Sequence, residues 1–220
     1  MDFWLETGDL PLIEKANAMG LLFGVMTHPK IVADSGKELE TLLEEIFPLQ
    51  SGPVVVPVTA HDAATMMKQA EALFGFSDRI IIGIPATSEG MKAVYHCTQK
   101  KIPTMVTSVF DQNHVLLAAS AGASYIAPCF SHICADDMNG IDSVRLMLRL
   151  MACYPKPAKL VATSLLTQEQ VRECAEIGAH GVVVGAKVFK ELTEDHPLTV
   201  QNMQHSVKDW AGAKKRRLPL

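Results

Sequence analysis

The sequence predicts a (β/α)8 barrel, in which eight parallel strands close on themselves inside a ring of helices. Two observations carry this prediction: eight short apolar runs recur along the 220 residues, and a segment with helical signals follows each run. Strict alternation of strands and helices implies parallel strands and right-handed crossovers. Eight such units close into a TIM barrel, and one domain over residues 1–220 has a suitable length. An open doubly wound sheet is the alternative, but no Gly-x-Gly-x-x-Gly motif follows the first strand.

The predicted strands are short and apolar, as expected of parallel strands that are buried on both faces. The clearest is the fourth, where the run Ile80–Ile84 shows no polar alternation and Pro85 follows it directly. The eight predicted strands are Phe3–Glu6, Leu22–Met26, Val54–Val58, Arg79–Ile84, Thr104–Phe110, Tyr125–Pro128, Lys159–Thr163 and Gly181–Gly185.

Helix signals stand between these strands. Ser35–Glu38 and Thr167–Gln170 fit the capping box, in which two side chains satisfy the first free N–H groups of a helix. Gly122 and Gly178 lie where helices are expected to stop, just before the next strand. Further residues that suit helix starts are Asp62, Thr87, Ser88 and Asp142.

Composition narrows the range of partners and locations. The formal net charge is −4, and the basic run Lys214–Arg217 comes without aromatic platforms or a binding motif, so we expect a solvated tail and no nucleic-acid partner. No leader precedes the first strand and no apolar run approaches about 20 residues, so we expect no membrane span. Five cysteines without a Cys-x-x-Cys pair indicate a reducing compartment, and we expect a cytoplasmic protein.

Four stretches carry a resemblance to a known family. Phe3–Asp9 is similar to Leu-Asp-Thr-Ser/Ala-Asp/Asn, and Gly24–Ile31 is similar to Gly-Val-Thr-Thr-Asn-Pro-Ser-Ile. The fourth strand and its turn, Arg79–Gly90, resemble Val-Lys-Val/Ile-Pro-Val-Thr-x-Glu-Gly, and Ile102–Phe110 resembles Thr-Leu-Gly-Thr-Ala-Val-Tyr. These patterns are those of the small transaldolases and fructose-6-phosphate aldolases. The resemblance extends in order and spacing over nearly the whole chain.

The resemblance implies a set of catalytic positions, several of which are altered here. The family's strand-four lysine, which forms a Schiff base with the donor ketone, is replaced by Gly83. Its first-strand aspartate is Glu6, its second-strand asparagine is His28 and its third-strand glutamine is Pro57. Thr107 on the fifth strand is retained.

The resemblance also implies substrate-binding positions. The family's sixth-strand tyrosine is Cys129, and its nearby phosphate-binding arginine is His132. Ser164 is retained, whereas the basic residue two positions later is Leu166. Lys187 follows the eighth strand, where barrels often bind phosphate, and we include it among the binding candidates. The implied ligand is a sugar or a sugar phosphate.

The missing lysine leaves several functions open. An enzyme typically supplies at least about 8 kcal/mol of barrier reduction, whereas acid–base groups supply roughly 3–5 kcal/mol. We therefore expect no ordinary Schiff-base aldol activity. An active enzyme that uses Lys30 or Lys187 remains an alternative, as does one that uses a metal bound by ligands such as Glu6, His28, Cys129 and His132. A metabolite-binding or structural pseudoenzyme is another. We predict no resident cofactor.

The last helical segment suits an intersubunit contact. Between Leu198 and Lys214, the apolar residues Val200, Met203, Val207 and Trp210 recur at helical spacing. They can pack on their own barrel or on a neighbouring subunit. The family resemblance implies the second arrangement, in a homo-oligomer that is a pentamer or a decamer.

Overall fold

A computed structural model describes residues 1–136, 140–155 and 158–212 of the chain. Its eight strands form a closed parallel barrel in sequence order, with β1 paired to both β2 and β8. The strands are β1 (Asp2–Glu6), β2 (Leu22–Met26), β3 (Val54–Pro57), β4 (Ile80–Pro85), β5 (Thr104–Val109), β6 (Tyr125–Pro128), β7 (Lys159–Leu165) and β8 (Gly181–Gly185). The predicted (β/α)8 TIM barrel is confirmed, and the predicted strand bounds agree to within two residues.

Helices surround the barrel and connect consecutive strands. In chain order they are α1 (Leu10–Ala18), α2 (Pro29–Ser35), α3 (Leu39–Ile46), α4 (Ala63–Phe76), α5 (Ser88–Gln99), α6 (Gln112–Ala121), α7 (Phe130–Asp136), α8 (Gly140–Ala152), α9 (Gln168–Glu176), α10 (Ala186–Leu192) and α11 (Pro197–Gly212). A short 3-10 helix, Phe47–Leu49, follows α3.

Most of the predicted helix signals act as expected. Asp62 and Thr87 cap α4 and α5, and the Thr167 hydroxyl accepts a hydrogen bond from the Gln170 N–H at 3.3 Å. The predicted capping box at Thr167–Gln170 is therefore confirmed in one half only, because the Gln170 Oε1 accepts the N–H of Leu166, one residue before the N-cap. Gly122 and Gly178 have φ angles of 87° and 82°, the left-handed region that glycine reaches without steric cost.

The predicted capping box Ser35–Glu38 is wrong. Gly36, with a φ of 65°, ends α2, so Ser35 is the last residue of that helix and its hydroxyl donates to the Val32 carbonyl at 2.7 Å. The next helix, α3, begins after Glu38, whose side chain makes no capping hydrogen bond.

The buried apolar residues form two cores: a large one that includes residues of both strands and helices, and a smaller one that fills the inside of the barrel. The smaller core contains one residue from each strand: Trp4, Met26, Val55, Ile81, Met105, Ala127, Val161 and Val183. The Trp4 ring is fully buried, and a Cβ atom on Gly24 would lie only 2.7 Å from it, so glycine makes room for the ring. Because side chains fill the barrel beneath the carboxyl ends of the strands, a ligand can enter only above that layer.

The last helix, α11, contributes no buried residue to the barrel. The exposed large apolar residues of α11 are Leu198, Met203, Val207 and Trp210. The basic run Lys214–Arg217 lies outside the described residues. Within the described residues, no helix has the length and apolar character needed to cross a membrane.

Candidate active site

A cavity of about 310 Å3 opens at the carboxyl ends of the strands. Parallel strands direct their carboxyl ends to one side, so side chains that are distant in sequence meet there. Six of the eight predicted site residues line this cavity: Glu6, His28, Gly83, Thr107, Cys129 and Ser164.

The other two predicted residues, His132 and Lys187, do not line the cavity. His132 is exposed on α7, with its ring perpendicular to that of Phe110 and the two centroids 5.9 Å apart. The Lys187 side chain is 82% exposed, and its Nζ lies 3.9 Å from the Glu191 carboxylate on the same helix. Lys30 is exposed on α2 and is also absent from the lining.

Glu6 and His28 bring ionisable groups to one side of the cavity. Glu6 ends β1 between Met26 of β2 and Gly185 of β8. Burial raises the pKa of the Glu6 carboxyl above its ordinary value of 4.5, and the nearby His28 partly opposes this effect. His28 caps α2 through its Nδ1, which accepts the Lys30 N–H at 3.2 Å. The neutral ring therefore carries its proton on Nε2.

Gly83 and Pro57 face each other across two neighbouring strands. They are partners in the register of β3 and β4, and both line the cavity. A Cβ atom placed on Gly83 would lie 3.0 Å from the Pro57 Cα and 3.3 Å from its Cβ. Carbon atoms pack best at about 3.5–4.0 Å, so any side chain at position 83 requires β3 to move.

Two Thr-Ser pairs place strained backbone in the cavity wall. The sequence Val-Thr-Ser-Val at 106–109 and the sequence Ala-Thr-Ser-Leu at 162–165 occupy equivalent positions on β5 and β7. Ser108 and Ser164 have φ angles of 55° and 59°, each where the strand register shifts. Left-handed backbone at a non-glycine residue costs about 1–3 kcal/mol and is concentrated at functional sites. We call these two segments the twin bulges.

The twin bulges flank Cys129 at the end of β6. The Cys129 N–H donates to the Val109 carbonyl at 2.9 Å on one side. On the other side, the Thr163 hydroxyl donates to the Pro128 carbonyl at 3.0 Å and lies 3.9 Å from the Cys129 Sγ. Thr163 and Ser108 line the cavity but were not predicted. The repeated Thr-Ser pair at two strand ends was the available signal.

The charges of the cavity are few. Glu6 is the acidic residue of its lining, and the described residues supply neither lysine nor arginine to it.

The metal alternative required Glu6, His28, Cys129 and His132 to converge. Across the described ranges, no group of three or more His, Cys, Asp or Glu side chains is placed to hold a metal ion.

Comparisons with known proteins extend over almost the whole chain. Residues 3–217 match the model of the family described as transaldolase/fructose-6-phosphate aldolase. A probable transaldolase of Brevibacillus brevis is 34% identical over 215 residues, which are 98% of this chain and all of that protein. Probable transaldolases of Streptococcus equi subsp. zooepidemicus and of an Anaeromyxobacter species are also 34% identical, again over 98% of this chain and the whole of each relative. The chain therefore belongs to the transaldolase/fructose-6-phosphate aldolase family.

Proposed function

We propose that this chain binds a sugar or a sugar phosphate in the barrel cavity, within carbohydrate metabolism, and does not carry out the Schiff-base step of the family. The observation that carries the proposal is Gly83, which stands at the carboxyl end of β4 with Pro57 packed against the space above it. A Schiff base needs a primary amine at the reacting carbonyl. The described lining of the cavity contains none.

The remaining side chains do not replace that amine. An iminium acts as the electron sink when the carbon–carbon bond breaks, and hydroxyl or carboxyl groups cannot form one. Glu6 and Thr107 can supply proton transfer, which is worth roughly 3–5 kcal/mol of the at least about 8 kcal/mol that enzymes typically supply. The predicted site residues therefore serve ligand binding in this proposal, with Glu6, His28, Thr107, Cys129 and Ser164 in direct reach of the ligand.

Borohydride trapping tests the proposal directly. The protein is incubated with fructose 6-phosphate or dihydroxyacetone, reduced with borohydride and weighed as an intact chain. We expect no covalent increment, while a family member that carries the lysine is trapped in parallel. An increment that maps to Lys30 or Lys187 would refute the proposal and establish an active enzyme that uses a different lysine.

We also infer that the chain forms a homo-oligomer through α11. The family resemblance implies that this oligomer is a pentamer or a decamer. The support is the exposed stripe of Met203, Val207 and Trp210, which lie at i, i+4 and i+7 on one helix face. A second copy of the chain is the occupant we assign to this stripe. Light scattering after size-exclusion chromatography tests it, because a monomer at micromolar concentration would refute the inference.

Two further inferences concern organisation and location. We infer one domain over residues 1–220, because the strand–helix units that close the barrel extend from Asp2 to Leu192 and only α11 follows them among the described residues. We infer a cytoplasmic location from the odd number of cysteines and the lack of a Cys-x-x-Cys pair. Fractionation of the source cells checks the location, and limited proteolysis checks the domain.

A further inference from the structure

We propose that the ligand of this cavity is an uncharged sugar or polyol and that its phosphorylated counterpart is rejected. This inference rests on the proposed function, because it specifies the chemical class bound by the same cavity. Three features carry it: the hydroxyl groups of the twin bulges, the charge of the cavity lining, and the exposed apolar residues that directly follow β5 and β7.

The twin bulges bring hydroxyl groups to the cavity that suit a polyol. Thr107, Ser108 and Ser164 all line it, and their hydroxyls make no hydrogen bond to another described side chain or backbone group. A hydroxyl both donates and accepts, as the hydroxyls of a sugar do, so the two sets can pair in either direction. The strained φ angles at Ser108 and Ser164 keep these groups at the wall of the cavity.

The charge of the lining disfavours a phosphate group. Glu6 carries the formal negative charge of the lining, and no described lysine or arginine faces it. A charged group that is taken out of water without a partner costs far more than a neutral polar group. Of the two lysines that follow β2 and β8, Lys187 is directed towards Glu191 and Lys30 is exposed on α2.

Two exposed apolar side chains directly follow the strands that carry the twin bulges. Phe110 directly follows β5 and Leu166 directly follows β7, and both are more than half exposed. The Phe110 ring contacts the His132 ring on α7. Gln170 on α9 links α7 to the residue after β7, because its Oε1 accepts from the Ser131 hydroxyl at 2.8 Å and from the Leu166 N–H at 2.7 Å. We call Phe110, His132 and Leu166 the mouth rim. Carbon-bound faces of a neutral sugar can pack on Phe110 and Leu166, whereas the rim holds neither lysine nor arginine for a phosphate.

Paired ligands test the inference. Binding of fructose and fructose 6-phosphate, and of inorganic phosphate alone, is measured by calorimetry at pH 8, where histidine side chains are generally neutral. Hydrogen bonds to charged groups are worth enough to change affinity by roughly tenfold to a hundredfold, and the phosphate lacks such partners here. We expect fructose to bind at least about tenfold more tightly than fructose 6-phosphate, and inorganic phosphate not to compete.

Two matched variants locate the effect. Leu166→Lys adds a cation to the mouth rim, and Leu117→Lys makes the same change on α6, at a leucine that is 55% exposed. We expect Leu166→Lys to shift the affinity ratio towards fructose 6-phosphate by roughly tenfold and Leu117→Lys to leave the ratio unchanged. Thr107→Val, which removes a hydroxyl with little change of shape, is expected to weaken fructose binding by roughly threefold to tenfold.

The outcomes separate this inference from the proposed function. Equal or tighter binding of fructose 6-phosphate to the unmodified protein would overturn the inference and leave the cavity as a sugar-phosphate site. Fructose binding that is insensitive to Thr107→Val would overturn the role assigned to the bulge hydroxyls. If neither sugar bound, the proposed function would fail together with the inference.

Discussion

Replacing Gly83 by alanine tests how tightly β3 and β4 pack at the floor of the cavity. The new Cβ would lie 3.0 Å from the Pro57 Cα, which is about 0.5 Å closer than a comfortable carbon contact. Overpacking of this kind costs about 1–3 kcal/mol. Alanine also lowers the entropy of the unfolded chain, which offsets about 0.4–1 kcal/mol. We expect a net loss of about 1 kcal/mol in the free energy of unfolding.

Gly185 offers a matched control at the end of β8. No atom lies within 4 Å of a Cβ placed there, and its φ of −76° and ψ of 167° suit alanine. We therefore expect Gly83→Ala to be less stable than Gly185→Ala by about 1–3 kcal/mol, measured by urea unfolding at one protein concentration. Each kcal/mol corresponds to about 2–4 °C in Tm for a chain of this size. Equal stability of the two variants would refute the steric argument and show that β3 moves at little cost.

Three further predictions follow from single residues. Burial raises the pKa of Glu6, so the unfolded chain releases this proton first as pH rises from 4.5. The wild type should therefore lose stability relative to Glu6→Gln through that interval, measured by urea unfolding against pH, and a constant difference between the two would contradict this. Met203→Glu on α11 should reduce the oligomer mass in light scattering, whereas Leu117→Glu on α6 should not, and an unchanged mass would exclude this face. Thr167→Ala should cost about 1 kcal/mol in thermal unfolding, because it removes the cap of α9.

The fold was predictable because its signals are local and repeat eight times. A parallel strand buried on both faces gives an uninterrupted apolar run, as in Ile80–Ile84, and these runs place the strand bounds closely. The error at Ser35–Glu38 has a local cause as well. The same residue types occur in a capping box and at a helix end that is followed by a glycine turn, as at Gly36. The choice between the two structures depends on how α3 packs.

The position of the candidate site in the barrel was predictable, but the directions of its side chains were not. Strand order places Glu6, His28, Thr107, Cys129 and Ser164 at one end of the barrel, and all five line the cavity. The direction of a side chain beyond a strand depends on the rotation of the helix that follows. Lys187 is directed along α10 towards Glu191, and no periodicity in the sequence specifies that rotation.

The twin bulges could not be derived from residue types. Glycine and asparagine usually mark left-handed backbone, and here serine adopts it twice. The register of β5 against β6 and of β7 against β8 sets this conformation, and register follows from the closure of the whole barrel. A repeated Thr-Ser pair at the ends of alternate strands becomes meaningful only when the strands are known to be neighbours of β6.

Gly83 and Pro57 are best regarded as one packing unit rather than as two independent residues. They are register partners, so the space that a side chain at position 83 would use is the space beside Pro57. Gly83→Lys therefore has a steric cost, and it introduces lysine into a cavity whose described lining contains no other lysine and no arginine. The described lining without lysine or arginine, the hydroxyls of the twin bulges and the exposed side chains of Phe110 and Leu166 all favour one type of ligand, which is polar and uncharged.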